Sequence, residues 1–242
     1  MNVTILKTQE AISAAAGEIL CAAVREKPNA VMGFATGASP VPTYAYMAWQ
    51  CAAGKVSFAQ MRTFNLDEYC DLPKSHSESY YSFMFRNLFG RIDVQPENVD
   101  FLNGNAADIP VECARYEAAI AKAGGIDVQL LGIGHNGHIG FNEPSDSFAE
   151  MSFQIALTQS TIDANKIYFP DGGMPTKALT MGIGSILRAR KIVFIATGAG
   201  KAQAVKDMIE GAVSPQCPAS VLQNHADVYV FLDEAAASLL TK

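Results

Sequence analysis

Twice along this chain an apolar run empties into a turn of small residues and then into a helical stretch. Residues 30–35 (AVMGFA) lead into Thr36, Gly37, Ala38, Ser39 and Pro40, with a helix expected to about Ala53. Residues 191–197 (KIVFIAT) lead into Gly198, Ala199, Gly200 and Lys201, with a helix expected to Glu210. Runs without polar alternation belong to strands buried on both faces, and parallel sheets covered by helices supply such places. A third run, residues 125–131 (GIDVQLL), opens instead into a loop, residues 130–144 (LLGIGHNGHIGFNEP), that collects histidines, asparagines and a glutamate among glycines.

The remaining segments fit the same alternation. Residues 2–6, 61–66, 99–102, 151–157 and 228–232 read as strands, the fourth of them at an edge. Helices are expected from Thr8, as N-cap, to near Arg25, from Ser75 or Ser77 onward, and over residues 110–123, 175–187, 219–223 and 234–240. Strands alternating with helices define an α/β fold: a doubly wound, mainly parallel sheet with helices on both faces. With 242 residues and no break in composition, a single domain over residues 1–242 is expected.

Composition narrows the partners. The chain carries a formal net charge of -6 and shows no Lys/Arg run, which argues against a nucleic-acid partner. An anionic small molecule remains open, because a glycine-rich turn, a helix N-terminus and one or two lysines suffice to hold it. The start, MNVTILKTQEAI, lacks a basic segment followed by an apolar core, and no run approaches the roughly 20 apolar residues of a membrane span. No membrane partner and a cytoplasmic location are therefore expected. Cys21, Cys51, Cys70, Cys113 and Cys217 are scattered without CxxC spacing, as reduced thiols rather than a disulfide frame or zinc cluster.

In a parallel sheet, ligands bind beyond the carboxyl ends of the strands, where loops converge. Several candidates sit there, each with a plainer alternative. Thr36, Gly37, Ala38 and Ser39 form either a phosphate cradle at a helix N-terminus or a tight turn with an N-cap. Taken alone the turn is favoured, since no Walker lysine follows. Lys201 is either a point charge for an anion or a solvated surface lysine. Asp67, directly after a strand, is either a proton-transfer carboxylate whose pKa is raised by partial burial or a cap. His138 is either catalytic or a structural hydrogen-bonding histidine. Gly132, Gly134 and Gly137 spell GxGxxG, but Phe141 to Pro144 follow where a dinucleotide site needs a helix, so that reading is rejected. His135, His138 and Glu143 offer a two-histidine, one-carboxylate metal set, though their spacing matches no familiar zinc pattern.

Five segments occur in collinear order over nearly the whole chain: FNLDEY (64–69), SESYYSFMFRNLF (77–89), LNGNAAD (102–108), GHNGHIGFNEP (134–144) and ALTMGIGSI (178–186). Together they resemble the glucosamine-6-phosphate deaminase family, aldose-ketose isomerases that release ammonia from glucosamine 6-phosphate. The resemblance implies a Rossmann-like α/β sandwich, a hexosamine 6-phosphate substrate and no metal or organic cofactor. It implies that Asp67 is the base for enolisation, that His138 opens the sugar ring, and that Glu143 assists it. Many members carry Asp where Asn136 stands, so Asn136 is expected to orient the histidine without adding charge. The family's phosphate pocket falls on Thr36, Gly37, Ala38, Ser39 and Lys201. A segment resembling ANSRFF usually brings an arginine to the phosphate. Here it reads ANKIYF (164–169), with Lys166 as substitute, a point charge rather than a bidentate fork.

The hexameric allosteric members carry basic residues shortly after NEP, whereas residues 147–157 contain none, so a monomer or small homo-oligomer is expected. Galactosamine-6-phosphate deaminase remains open, since the motifs do not separate the two sugars. 6-Phosphogluconolactonase shares the fold but leaves FNLDEY and GFNEP unexplained. A sugar-phosphate sensor domain would want a helix-turn-helix segment ahead of the sheet, and none fits before residue 3.

Overall fold

The computed structural model describes residues 1–170 and 172–241. The chain opens with β1 (Asn2–Leu6) and α1 (Gln9–Glu26), which Thr8 caps by accepting the Ala11 N–H at 3.2 Å. Then come β2 (Val31–Phe34), α2 (Val41–Ala52), β3 (Arg62–Asn65), β4 (Asp67–Tyr69), α3 (Tyr80–Asn87), β5 (Val99–Asp100), α4 (Ile109–Lys122) and β6 (Val128–Leu131). After the long central loop follow β7 (Phe153–Ala156), α5 (Gln159–Asn165), β8 (Lys177–Thr180), α6 (Ile183–Leu187), β9 (Lys191–Ala196), α7 (Ala202–Glu210) and β10 (Val228–Asp233).

Seven strands pair in the order β1-β10-β9-β6-β2-β3-β5, every pairing parallel. The apolar runs lie inside this sheet and feed both faces alternately. Met32, Phe34, Leu130 and Val193 pack toward α1, α2 and α3 through Leu20, Met47 and Met84. Val31, Leu131, Ile192 and Phe194 pack toward α4, α6 and α7 through Tyr116, Ile186 and Met208. Burying each such aliphatic or aromatic side chain contributes about 1.5–3 kcal/mol, which makes a two-sided wrap the stable way to satisfy an apolar strand.

From β2 the chain moves outward to β3 and β5, then returns to place β6 on the other side of β2. The carboxyl ends of β2 and β6 therefore flank the point where winding reverses, and the crevice of an open α/β sheet forms there. The turn of residues 36–39 leaves β2, and the central loop leaves β6. A second sheet, β4-β8-β7, is antiparallel and lies at this same end, because β4 begins one residue after β3 stops.

Several expected elements differ. Residues 175–187 were expected to be one helix, but they hold β8 and the short α6, since β8 finds partners in β4 and β7 that local sequence does not reveal. Where a helix was expected over residues 234–240, residues 234–239 form consecutive turns, after the Asp233 carboxylate accepts the Ala236 N–H at 2.7 Å and the Gly198 N–H at 2.9 Å. The helix expected from Ser75 or Ser77 starts at Tyr80, where Ser79 caps it by accepting the Ser82 N–H. The strand expected over residues 99–102 is confined to Val99–Asp100, and the helix over 219–223 is a 3-10 stretch, Pro218–Asn224.

Candidate active site

The central loop is held by its own backbone and by β8. The Gly134 N–H bonds to the His138 carbonyl at 2.9 Å, and the Asn142 amide donates to the carbonyls of Ile139 at 2.9 Å and Met181 at 2.8 Å. Gly134 is needed for space: a Cβ there would lie 2.2 Å from the His138 ring, which rests against its backbone. No helix follows Gly137, in line with Pro144 restraining the residue before it.

Glu143 is the anchor of the loop. Its buried carboxylate accepts from the Asn136 amide at 2.7 Å through Oε2 and from the Thr161 hydroxyl at 2.8 Å through Oε1, with the Thr158 hydroxyl at 3.5 Å. His138 Nδ1 stands 3.4 Å from Oε2, within ion-pair range but not aligned as a hydrogen bond. Burial pushes the Glu143 carboxyl up, but interactions with His138, Asn136 and Thr161 outweigh it and hold the pKa down at about 2. Asn136 therefore orients the pair through Glu143, and its Oδ1 accepts the backbone N–H of His138 at 3.2 Å rather than a ring nitrogen.

Asp67 opens β4 opposite Thr180 of β8, and the Thr180 hydroxyl accepts the Phe141 N–H at 3.1 Å. One bridge of backbone and hydroxyl thus joins the strand of Asp67 to the loop of His138 and Glu143. The Asp67 carboxyl is buried, and among the described residues its Oδ1 has no hydrogen-bond partner. Burial, reinforced by the neighbouring Glu68 charge, raises its pKa well above the usual carboxylate range. Burial also raises the phenols of Tyr44, Tyr69, Tyr80 and Tyr116, and the Asp67 charge adds to each. Glu68 faces elsewhere, accepting the N–H groups of Tyr69, Tyr80 and Tyr81 at 2.8, 2.9 and 2.9 Å at the start of α3.

The turn after β2 has Gly37 at φ +116°, a conformation that favours glycine. No side chain caps α2; its Val41 N–H turns back to the Ala38 carbonyl at 3.3 Å and Pro42 carries no N–H. The Thr36 side chain lies near enough to the Tyr80 phenol to offset a little of the rise that burial gives it, which sets this turn beside the start of α3. Lys201, at the start of α7, is half-buried, and desolvation lowers its pKa; among the described residues no carboxylate pairs with it. His135 connects Lys201 to the loop: the Lys201 charge, then burial, then His138 lower its imidazole pKa. Lys166 lies in a 3-10 turn, Lys166–Tyr168, with its side chain exposed and outside this bonded set.

The sequence alone did not point to Thr158, Thr161 or Thr180. Only the hydroxyl at Thr158, an N-cap type of residue before a helix, carried a local signal. Among the described residues no group of three or more His, Cys, Asp and Glu side chains is arranged to hold a metal ion. A cavity of about 450 Å³ lined by Lys27, Arg62 and Lys122 opens at the amino ends of β2 and β3, the opposite end of the sheet from these groups.

A carboxylate with a raised pKa, a histidine-glutamate pair and a lysine with no carboxylate partner among the described residues all follow strands at the carboxyl edge of a parallel sheet, where α/β enzymes bind their ligands. Residues 7–230 match the family of glucosamine-6-phosphate isomerases and 6-phosphogluconolactonases, and the chain belongs to that family. It is 46% identical over 241 residues to the glucosamine-6-phosphate deaminase of Thermoanaerobacter pseudethanolicus, covering 99% of this chain and 95% of that one. It is likewise 46% identical to that of Clostridioides difficile, covering 99% and 97%. Among solved structures it is similar to a monomeric glucosamine-6-phosphate deaminase, with TM-score 0.95 and 43% identity over 99% of this chain and 100% of the other. A 6-phosphogluconolactonase from Leishmania guyanensis shares the fold at TM-score 0.80 and 18% identity, covering 100% of this chain and 99% of the other.

Proposed function

We propose that this chain is a glucosamine-6-phosphate deaminase, acting as a monomer, that converts glucosamine 6-phosphate and water to fructose 6-phosphate and ammonia. The observation that carries the reading is the separation of two buried carboxyls: Asp67 raised well above its ordinary value and Glu143 held at about 2. Environments that push two carboxyls apart assign them different work. Glu143 stays charged and steadies His138, whereas Asp67 gives up and takes back a proton readily.

The phosphate is bound by the turn of Thr36, Gly37, Ala38 and Ser39 with the start of α2 and by Lys201; Lys166 is the remaining candidate. His138 moves a proton from the hydroxyl on carbon 1 to the ring oxygen, breaking the ring bond and leaving an aldehyde at carbon 1. Asp67 then takes the proton from carbon 2, forming an enolamine, and returns one to carbon 1, which leaves an imine at carbon 2. Water adds to that carbon, and ammonia departs as the ketone forms. Positioned proton transfers of this kind each contribute about 10²- to 10⁴-fold.

Purified protein with glucosamine 6-phosphate or galactosamine 6-phosphate in a coupled ammonia assay tests the reading. Ammonia release with the gluco sugar in clear preference is expected. Preference for the galacto sugar would reassign the substrate, and silence with both alongside tight binding of one would make the chain a sensor.

A further inference from the structure

We infer that Thr161 is a positioning residue for the Glu143–His138 pair, an assignment that rests on the deaminase reading above. The two oxygens of Glu143 have separate duties. Oε2 faces Asn136 and His138 from its own loop, whereas Oε1 takes the Thr161 hydroxyl from α5 at 2.8 Å. The direction of that bond is set by its surroundings. An ionised carboxylate only accepts, so the Thr161 proton points at Oε1, and Thr161 Oγ1 in turn stands 3.0 Å from the Thr158 hydroxyl.

Holding Oε1 stops the carboxylate from rotating, and rotation would carry Oε2 away from His138 Nδ1. That contact already stands at 3.4 Å, so it has little slack. The alternative is that Thr161 only helps to start α5. Capping, however, uses its backbone N–H, which donates to Thr158 Oγ1 at 3.3 Å, and leaves the side-chain hydroxyl free for Glu143. Docking of α5 also has an apolar anchor of its own, because Ile162 packs against the cluster of Tyr69, Phe141 and Phe169. A Thr161→Val variant keeps the shape, the backbone cap and the anchor, and loses the bond to Oε1 together with the acceptor that Oγ1 offers to Thr158.

Wild type, Thr161→Val and Thr161→Ser are compared for ammonia release from glucosamine 6-phosphate, and for binding of 2-amino-2-deoxyglucitol 6-phosphate, an acyclic alditol phosphate with no ring to open. In Thr161→Val, kcat should fall by roughly tenfold to a hundredfold, the effect of losing a hydrogen bond to a charged group. KM and alditol affinity should stay within about twofold of wild type, since ground-state binding is untouched. Thr161→Ser should restore most of the turnover. Full turnover in Thr161→Val, a serine variant no better than valine, or alditol affinity falling in step with kcat would each overturn the assignment. A silent wild type would overturn the deaminase reading and this role with it, whereas an active wild type beside an equally active valine variant would overturn this role alone.

Discussion

The Thr180 hydroxyl accepts the Phe141 N–H at 3.1 Å, and Thr180 faces Asp67 across the β4–β8 pairing. A buried carboxyl on one strand and a histidine-glutamate pair on a distant loop are thereby tied to one residue of β8. Thr180→Val keeps the volume but leaves the buried Phe141 N–H without a partner, at a cost of about 1–3 kcal/mol. Chemical denaturation should show that loss, and kcat should fall with it as the loop moves relative to Asp67. A variant as stable as wild type would mean that water or another acceptor replaces the hydroxyl.

Asp67→Asn is expected to bind substrate as wild type does and to lose turnover by about 10²- to 10⁴-fold, since an amide cannot take the proton from carbon 2. Stability should move the other way. The folded pKa of Asp67 is raised, so its protonated form stabilises the fold below the ordinary aspartate value of 3.8, and that contribution is lost as pH rises through the folded value. At neutral pH the variant should therefore melt higher than wild type, and the advantage should vanish in acid. Thermal melts at both ends of this range, with steady-state kinetics, check both halves.

Glu143 has the opposite linkage. Its folded pKa is depressed from 4.5 to about 2, so it stabilises the fold above 4.5 and loses that contribution as pH falls toward about 2. Glu143→Gln should flatten the fall in stability across this window. Urea unfolding at a series of pH values measures it, and parallel curves for variant and wild type would count against a charged, hydrogen-bonded Glu143.

Lys201→Met removes the half-buried cation while keeping the apolar stem. KM for glucosamine 6-phosphate should rise about tenfold or more, as expected for losing a charge-assisted contact to phosphate, with kcat less affected. Competition by inorganic phosphate should weaken in parallel. An unchanged KM would move the phosphate away from α7.

Elements whose signal is local were legible from the chain. Unbroken apolar runs announced β2, β6 and β9, Thr8 announced the start of α1, and the small-residue turns announced where those strands give way to helices. The segment over residues 175–187 was not legible in this way. Its glycines and apolar residues suit strand and helix alike, and only the partners of β8 decide between them. The turns after Asp233 were hidden for a similar reason, because the side chain that shapes them also bonds Gly198, far away in sequence.

The same division runs through the site. Residue types and their order along the chain determined that carboxylates, histidines and a lysine would follow strand ends, because a strand's direction is decided by the run that forms it. Only the tertiary structure decided their electrostatic character. Asp67 is raised by burial and by the Glu68 charge beside it, and Glu143 is lowered by a hydroxyl from α5 together with its own loop. A pKa is a property of what surrounds a group, and those surroundings are assembled from segments that meet only once the chain has folded.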